Sequence, residues 1–204
     1  MGFPKLYAIA DVGVLAARGM ALRAFAEGMR AAGVGLVQLR DKTGSPQEVL
    51  AGAAVLREVM GRDCLLVMND RADLAVLGGF DGVHVGQGDL AVGDCRRVLG
   101  TGLVGISTHS AEQVLEAGDV DYVAVGPVFA TGTKLDADPV VGLDGVRRAR
   151  RLTTKPLVAI GGITRENCRS VVEAGADSVA VISGLIVPGE TVEKVARDFL
   201  AILG

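Results

Sequence analysis

Three apolar runs end in polar clusters: Gln38-Leu39-Arg40-Asp41-Lys42, Asn69-Asp70-Arg71 and His84-Val85-Gly86-Gln87-Gly88-Asp89. In the first, period-two alternation puts Gln38, Arg40 and Lys42 on one face and Leu39 on the other. A strand ending there offers an amide and two cations, a set suited to an anion. An exposed charged loop is the plainer reading of such a run. Asp70 and Asp89, if brought side by side, are two hard carboxylates with room for water. That is how a protein usually holds Mg²⁺ while a substrate phosphate supplies the remaining oxygens. Their plainer roles are a helix cap for Asp70, with Asp73 in the first turn, and a turn residue for Asp89.

The later run ends add a second kind of site. Ser107-Thr108-His109-Ser110 holds one of the chain's two histidines, with no Asp or Ser pairing of a nucleophilic triad around it. Ser110 or Thr108 reads as the cap of the following helix. Gly126-Pro127-Val128-Phe129-Ala130-Thr131-Gly132-Thr133-Lys134 ends in two hydroxyls, a glycine with free backbone N–H groups around it and an ammonium. That is a phosphate cradle, although its spacing is not that of a Walker A loop. Gly161-Gly162-Ile163-Thr164 and Ile182-Ser183-Gly184 are glycine-rich ends expected to lead into helix N-termini. Such ends form the phosphate site of (β/α)₈ barrels when they close strands seven and eight. Two anion sites at one rim fit an enzyme with a diphosphate substrate and a second, monophosphorylated one.

The elements that must position these residues are legible as short β-branched or Leu-rich runs. Strands are read at 5–11, 35–40, 64–69, 82–86, 103–107, 122–126, 156–162 and 178–183. Amphipathic stretches lie between them, as in PQEVLAGAAVLREVM, where Val49, Ala53, Leu56 and Met60 fall at helical spacing. Eight strands and about eight helices in strict alternation predict a parallel sheet. That number of units predicts an α/β fold closed as a (β/α)₈ TIM barrel, a single domain over residues 1–204. An open doubly wound sheet is the alternative, and it too places ligands at the C-terminal strand ends.

Composition bounds the rest. Half of the 204 residues are apolar, 29 are Gly and only 3% are aromatic, as buried parallel strands require. No apolar run reaches the roughly 20 residues of a membrane span, and no signal peptide is recognisable. Cys64, Cys95 and Cys168 form no CxxC pair, which argues for a reducing compartment with neither disulfides nor zinc. The net charge of −3 gives no general attraction for nucleic acid. The expectation is a cytoplasmic protein without membrane or nucleic-acid partners, acting on small phosphorylated molecules, with a homo-oligomer left open.

QLRDK, NDRADLA, GVHVGQGD, GISTH, GPVFATGTK, AIGGI and VISG, in order from residue 38 to 184, closely resemble the motifs of the thiamine-phosphate synthase family. The resemblance implies a (β/α)₈ barrel. It also implies a Mg²⁺-dependent condensation of hydroxymethylpyrimidine diphosphate with thiazole phosphate, or its carboxylated form, to thiamine phosphate and pyrophosphate. Carried over by position, Gln38, Arg40, Lys42, Asn69, Ser107 and Lys134 would contact the pyrimidine diphosphate. Ser107, Arg40, Lys42 and Lys134 would be the catalytic set among them. Asp70 and Asp89 would be the metal ligands, and Thr131, Thr133, Gly162, Ile182 and Ser183 would hold the thiazole phosphate. The implied chemistry is dissociative and needs no protein nucleophile. Gly88 departs from the pattern, standing where many members have an acidic residue, and the short N-terminus with YAIAD leaves the barrel floor less well covered.

Three other readings compete. A thiazole tautomerase of this fold would use His109, alone or as a second activity, but has little use for Gln38, Lys42 and Lys134 together. A sugar-phosphate isomerase would want a general base such as Glu at a strand end, and none of these ends carries one. A non-catalytic regulator would leave Asp70 and Asp89 idle.

Overall fold

The computed structural model describes residues 2–132 and 139–204. Eight strands, β1 (Leu6–Asp11), β2 (Leu36–Arg40), β3 (Leu65–Asn69), β4 (Gly82–Val85), β5 (Leu103–Thr108), β6 (Tyr122–Val125), β7 (Leu157–Ile160) and β8 (Ser178–Val181), close into a parallel barrel in chain order. The seam is β1 against β8, with Leu6 opposite Val179. The expected barrel is therefore the one formed, and the open sheet is excluded. Around it lie α1 (Val12–Ala17), α2 (Leu22–Ala32), α3 (Pro46–Met60), α4 (Ala72–Leu77), α5 (Val92–Leu99), α6 (Ala111–Leu115), α7 (Gly142–Leu152), α8 (Cys168–Glu173) and α9 (Val192–Leu203).

Among the described residues strict alternation fails once, because two helices, not one, join β1 to β2. Asp11 caps α1 directly from the strand end, its Oδ1 accepting from Val14 N at 2.9 Å. Gly19, with φ of 65°, then ends the segment before α2 begins.

The strands are apolar on both faces, as parallel strands covered by helices must be. Outward residues such as Val37, Leu39, Val83, Val85, Val123 and Val179 join the helices in one core. Inward residues, including Tyr7, Ile9, Leu36, Val67, Tyr122, Ala124, Val158 and Ala180, fill the barrel as a second core. Phe3 packs against this interior, its ring centroid 5.3 Å from that of Tyr122.

The interior depends on one absent side chain. Gly105 of β5 lies opposite Tyr122 of β6, and a Cβ there would fall 2.0 Å from the phenol ring. Packed interiors resolve such overlap only by distortion. Gly105→Ala is expected to cost roughly 1–3 kcal/mol of stability, read from the denaturant midpoint. An unchanged midpoint would mean that the ring has somewhere to go.

Under the barrel, one device is used three times. Asp81, Asp121 and Asp177 stand just ahead of β4, β6 and β8, and each carboxylate accepts a backbone N–H from the preceding strand: Leu66 at 2.7 Å, Val104 at 2.7 Å and Leu157 at 2.8 Å. Each also meets an arginine from a helix: Arg57 at 2.9 Å, Arg96 at 2.6 Å and Arg150 at 2.6 Å. The even strand without it is β2, where Gly35 holds the position. These charges sit at the end of the barrel away from the predicted chemistry.

Candidate active site

The C-terminal strand ends surround a cavity of about 750 Å³, and its wall includes Gln38, Arg40, Lys42, Asn69, Asp70, Asp89, Ser107, Thr131, Gly162, Ile182 and Ser183. Every described residue expected at the site is thus on one surface. Thr133 and Lys134 lie outside the described residues.

Strand register builds the cationic side. Asp11 of β1 sits opposite Arg40 of β2, and Arg40 Nη1 donates to Asp11 Oδ2. Asp11 is almost fully buried, so it aims the guanidinium while capping α1. Sequence reasoning missed it, because its partner lies 29 residues away. Lys42 Nζ donates to Asp70 Oδ2. Arg18, at the end of α1, is a further unpredicted lining residue.

Asp70 and Asp89 come together on one cavity wall, as expected from neighbouring strand ends, close enough to shift one another's titration. Burial first, then Asp89, raises the Asp70 carboxyl above its ordinary range against the pull of Lys42. Asp89 is lowered: burial opposes this, but Gly86 N–H at 2.8 Å, Asp70 and Lys42 outweigh it. Two carboxylates forced together divide in this way. Asp70 has φ of 60°, the one positive value at a non-glycine among the described residues. Such backbone is costly and concentrates at functional sites. Asp70 lines the mouth and makes no cap bond to α4, so the plainer role of helix cap is not the one it takes. The N-cap position of α4 is Arg71, with no side-chain cap bond. Arg71 instead grips Asp73, with contacts of 2.9 and 2.6 Å.

At the fifth strand end, Ser110 caps α6, accepting from Gln113 N at 3.3 Å. Thr108 is buried and donates to Ala124 O at 2.8 Å. His109 Nδ1 lies 2.6 Å from Gly126 O on the cavity wall. Across the mouth, Val128 N and Phe129 N donate to Ile160 O and Gly161 O at 2.8 and 3.0 Å, laying the β6 loop along the end of β7. Gly161 and Gly162 take φ of 102° and 63°. A Cβ on Gly162 would come within 2.6 Å of Ala130 O, so only glycine fits. A helix does not follow this strand at once. Asn167 closes a turn, donating to Gly162 O at 3.0 Å and accepting from Thr164 N at 2.8 Å, and α8 starts only afterwards. After β8, Ser183–Leu185 forms a 3₁₀ turn immediately.

Outside the mouth, Arg165 ties this turn to the segment after β8. It meets Glu190 at 2.5 Å and Asp198 at 2.6 Å, and Lys194 reaches both. Arg165 and Lys194 pull the Glu190 carboxyl from 4.5 to about 2. A carboxylate held below its unfolded value contributes stability above about 4.5 and loses it as pH falls towards 2. Glu190→Gln is therefore expected to flatten the acid side of the stability–pH curve in that window. An unaltered curve would remove the clamp from the acid response.

A family model described as thiamine monophosphate synthase matches residues 6–185. The chain belongs to the thiamine-phosphate synthase family. As a member it is a transferase of thiamine biosynthesis. The thiamine-phosphate synthase of Koribacter versatilis is 51% identical over 98% of this chain and 96% of its own length. That of Chloroflexus aurantiacus is 41% identical over 98% and 92%. A solved thiamine phosphate pyrophosphorylase from Pyrococcus furiosus superimposes with a TM-score of 0.87 at 32% identity, covering 98% of this chain and 95% of its own. The Pyrococcus furiosus protein thus shares the barrel described above. No helix among the described residues is long and apolar enough to cross a membrane.

Proposed function

We propose that the two sides of this mouth divide the substrates of the synthase reaction. The pyrimidine diphosphate lies against β2, β3 and β4, and the thiazole phosphate against the ends of β6, β7 and β8. One observation carries the reading. A cluster of Lys42, Asp70 and Asp89 faces the same cavity as the glycine turn at Gly161–Gly162 and the 3₁₀ turn at Ser183.

The donor set fits Mg²⁺. Two adjoining carboxylates, with no third acidic, His or Cys ligand grouped with them among the described residues, match an ion that keeps waters and takes substrate oxygens. Lys42, donating to Asp70, already places one positive charge at the pair. When bound, Mg²⁺ supplies charge neutralisation of the diphosphate oxygens. Gly88 adds no further charge, so Asp70 and Asp89 are the carboxylates offered there.

Arg40, aimed by Asp11, and Lys42 neutralise the departing pyrophosphate, and Lys134 belongs to the same set by position. Asn69 and Gln38 orient the pyrimidine, and Ser107 donates a hydrogen bond to this substrate. The methylene carbon loses pyrophosphate, its positive charge spreads into the aminopyrimidine ring, and the thiazole nitrogen attacks. The chain's contribution is charge stabilisation and fixed geometry. Thr131, Gly162, Ile182 and Ser183, with Thr133 by position, hold the thiazole phosphate through hydroxyls and backbone N–H groups.

Calorimetric titration with the pyrimidine diphosphate tests the assignment. Binding is expected with Mg²⁺ and is expected to weaken severely in chelator. Binding indifferent to Mg²⁺ would overturn the metal's place.

A further inference from the structure

Beneath Ser107, five side chains form one continuous hydrogen-bonded line through the barrel. Gln38 Nε2 donates to Tyr7 Oη at 2.7 Å, and Tyr7 Oη lies 2.9 Å from Tyr122 Oη. Tyr122 Oη is 3.0 Å from His84 Nδ1, and His84 Nε2 is 2.9 Å from Ser107 Oγ. Gln38, Tyr7 and Tyr122 are buried, and all five but Tyr122 reach the cavity wall.

Counting protons sets the direction of this line. Tyr7 Oη accepts from Gln38, so its single proton goes to Tyr122. Tyr122 in turn has only His84 Nδ1 to receive its own proton. Burial raises both phenols, so each keeps its proton, and an Nδ1 that accepts from Tyr122 leaves the imidazole one proton. That proton must then sit on Nε2 and point at Ser107 Oγ. The serine oxygen is occupied as an acceptor, and its hydroxyl proton is left for the cavity.

We propose that Tyr7, Tyr122 and His84 are positioning residues, a one-way relay that holds Ser107 as a hydrogen-bond donor to the phosphorylated substrate. The inference rests on the assignment of Ser107 to the pyrimidine diphosphate. It adds that the polarity of this contact is set by the side chains behind the serine. A serine free to turn would also present lone pairs to an anionic substrate. With His84 donating to its oxygen, the serine proton is the part left to meet the anion. Gln38 and Ser107 are the two ends of the line, and both reach the cavity.

The imidazole tautomer reports the relay directly, without substrate. With ¹⁵N-labelled histidine, and with the two histidines told apart by a His109→Asn variant, His84 is expected to show unprotonated Nδ1 and protonated Nε2. A proton on Nδ1 in the wild-type protein would overturn the relay, and this measurement needs no variant at positions 7, 84 or 122. In Tyr122→Phe the tautomers are expected to mix. There kcat is expected to fall about tenfold, a fraction of what a full donor is worth, with both KM values within about twofold. A merely structural phenol would lower the melting point but leave tautomer and kcat alone, and that outcome too would overturn the proposal. Ser107→Ala with wild-type turnover, beside the predicted tautomer, would instead overturn the substrate contact beneath it.

Discussion

Asp70→Asn and Asp89→Asn should each lower turnover by roughly 10³-fold, about 4 kcal/mol at 1.4 kcal/mol per tenfold. Each change removes one negative charge and almost no volume. Asparagine is the residue of choice at position 70 because it tolerates the left-handed backbone that Asp70 adopts. At position 89 its side-chain oxygen can still accept from Gly86 N, as the carboxylate does at 2.8 Å. The fold should therefore survive, with melting points near wild type, while the Mg²⁺ concentration for half-maximal rate rises steeply. Loss of Asp70 also frees Lys42 from its partner, so part of the effect should appear as altered affinity for the diphosphate. If both variants kept the wild-type Mg²⁺ dependence, the metal would lie elsewhere.

Gly162→Ala should strike the other side of the mouth. At φ of 63°, an L-residue costs roughly 1–2 kcal/mol before any contact is considered. Its Cβ would also lie 2.6 Å from Ala130 O and 2.8 Å from Phe129 Cβ. Neither neighbour is the tip of a flexible side chain, so the overlap can be relieved only by parting the β6 loop from the end of β7. Hydrogen bonds to a charged group are worth about 1.5–3 kcal/mol. Losing one such contact to the thiazole phosphate should raise its KM by roughly ten- to a hundredfold, with little change in KM for the pyrimidine diphosphate. Steady-state kinetics with each substrate varied in turn separates the two. The reverse pattern would exchange the assigned positions of the substrates.

Much of this site was legible because barrel strands obey a strict period. Alternation alone put Gln38, Arg40 and Lys42 on the inner face, and the counting of eight apolar runs was enough to expect closure. What escaped depends on register or on backbone. Asp11 earns its role only through pairing with Arg40 across β1 and β2. Tyr7 and Tyr122 read as core, since an inward aromatic looks the same whether or not its hydroxyl is used. That α4 has no side-chain cap depends on a positive φ at Asp70, which cannot be seen from neighbouring residues. The turn closed by Asn167 likewise displaces the helix expected after Gly162. One signal was available and unused: FDGVHV, VDYVAV and ADSVAV repeat an Asp immediately ahead of alternate strands, and each Asp anchors an arginine under the barrel.

Pyrophosphate release by the purified protein, followed with Mg²⁺ and both phosphorylated substrates present, tests the central claim most directly. The account predicts release in step with thiamine phosphate formation, and loss of both when the metal or either substrate is withheld. Release no greater than in a control without the protein would contradict it.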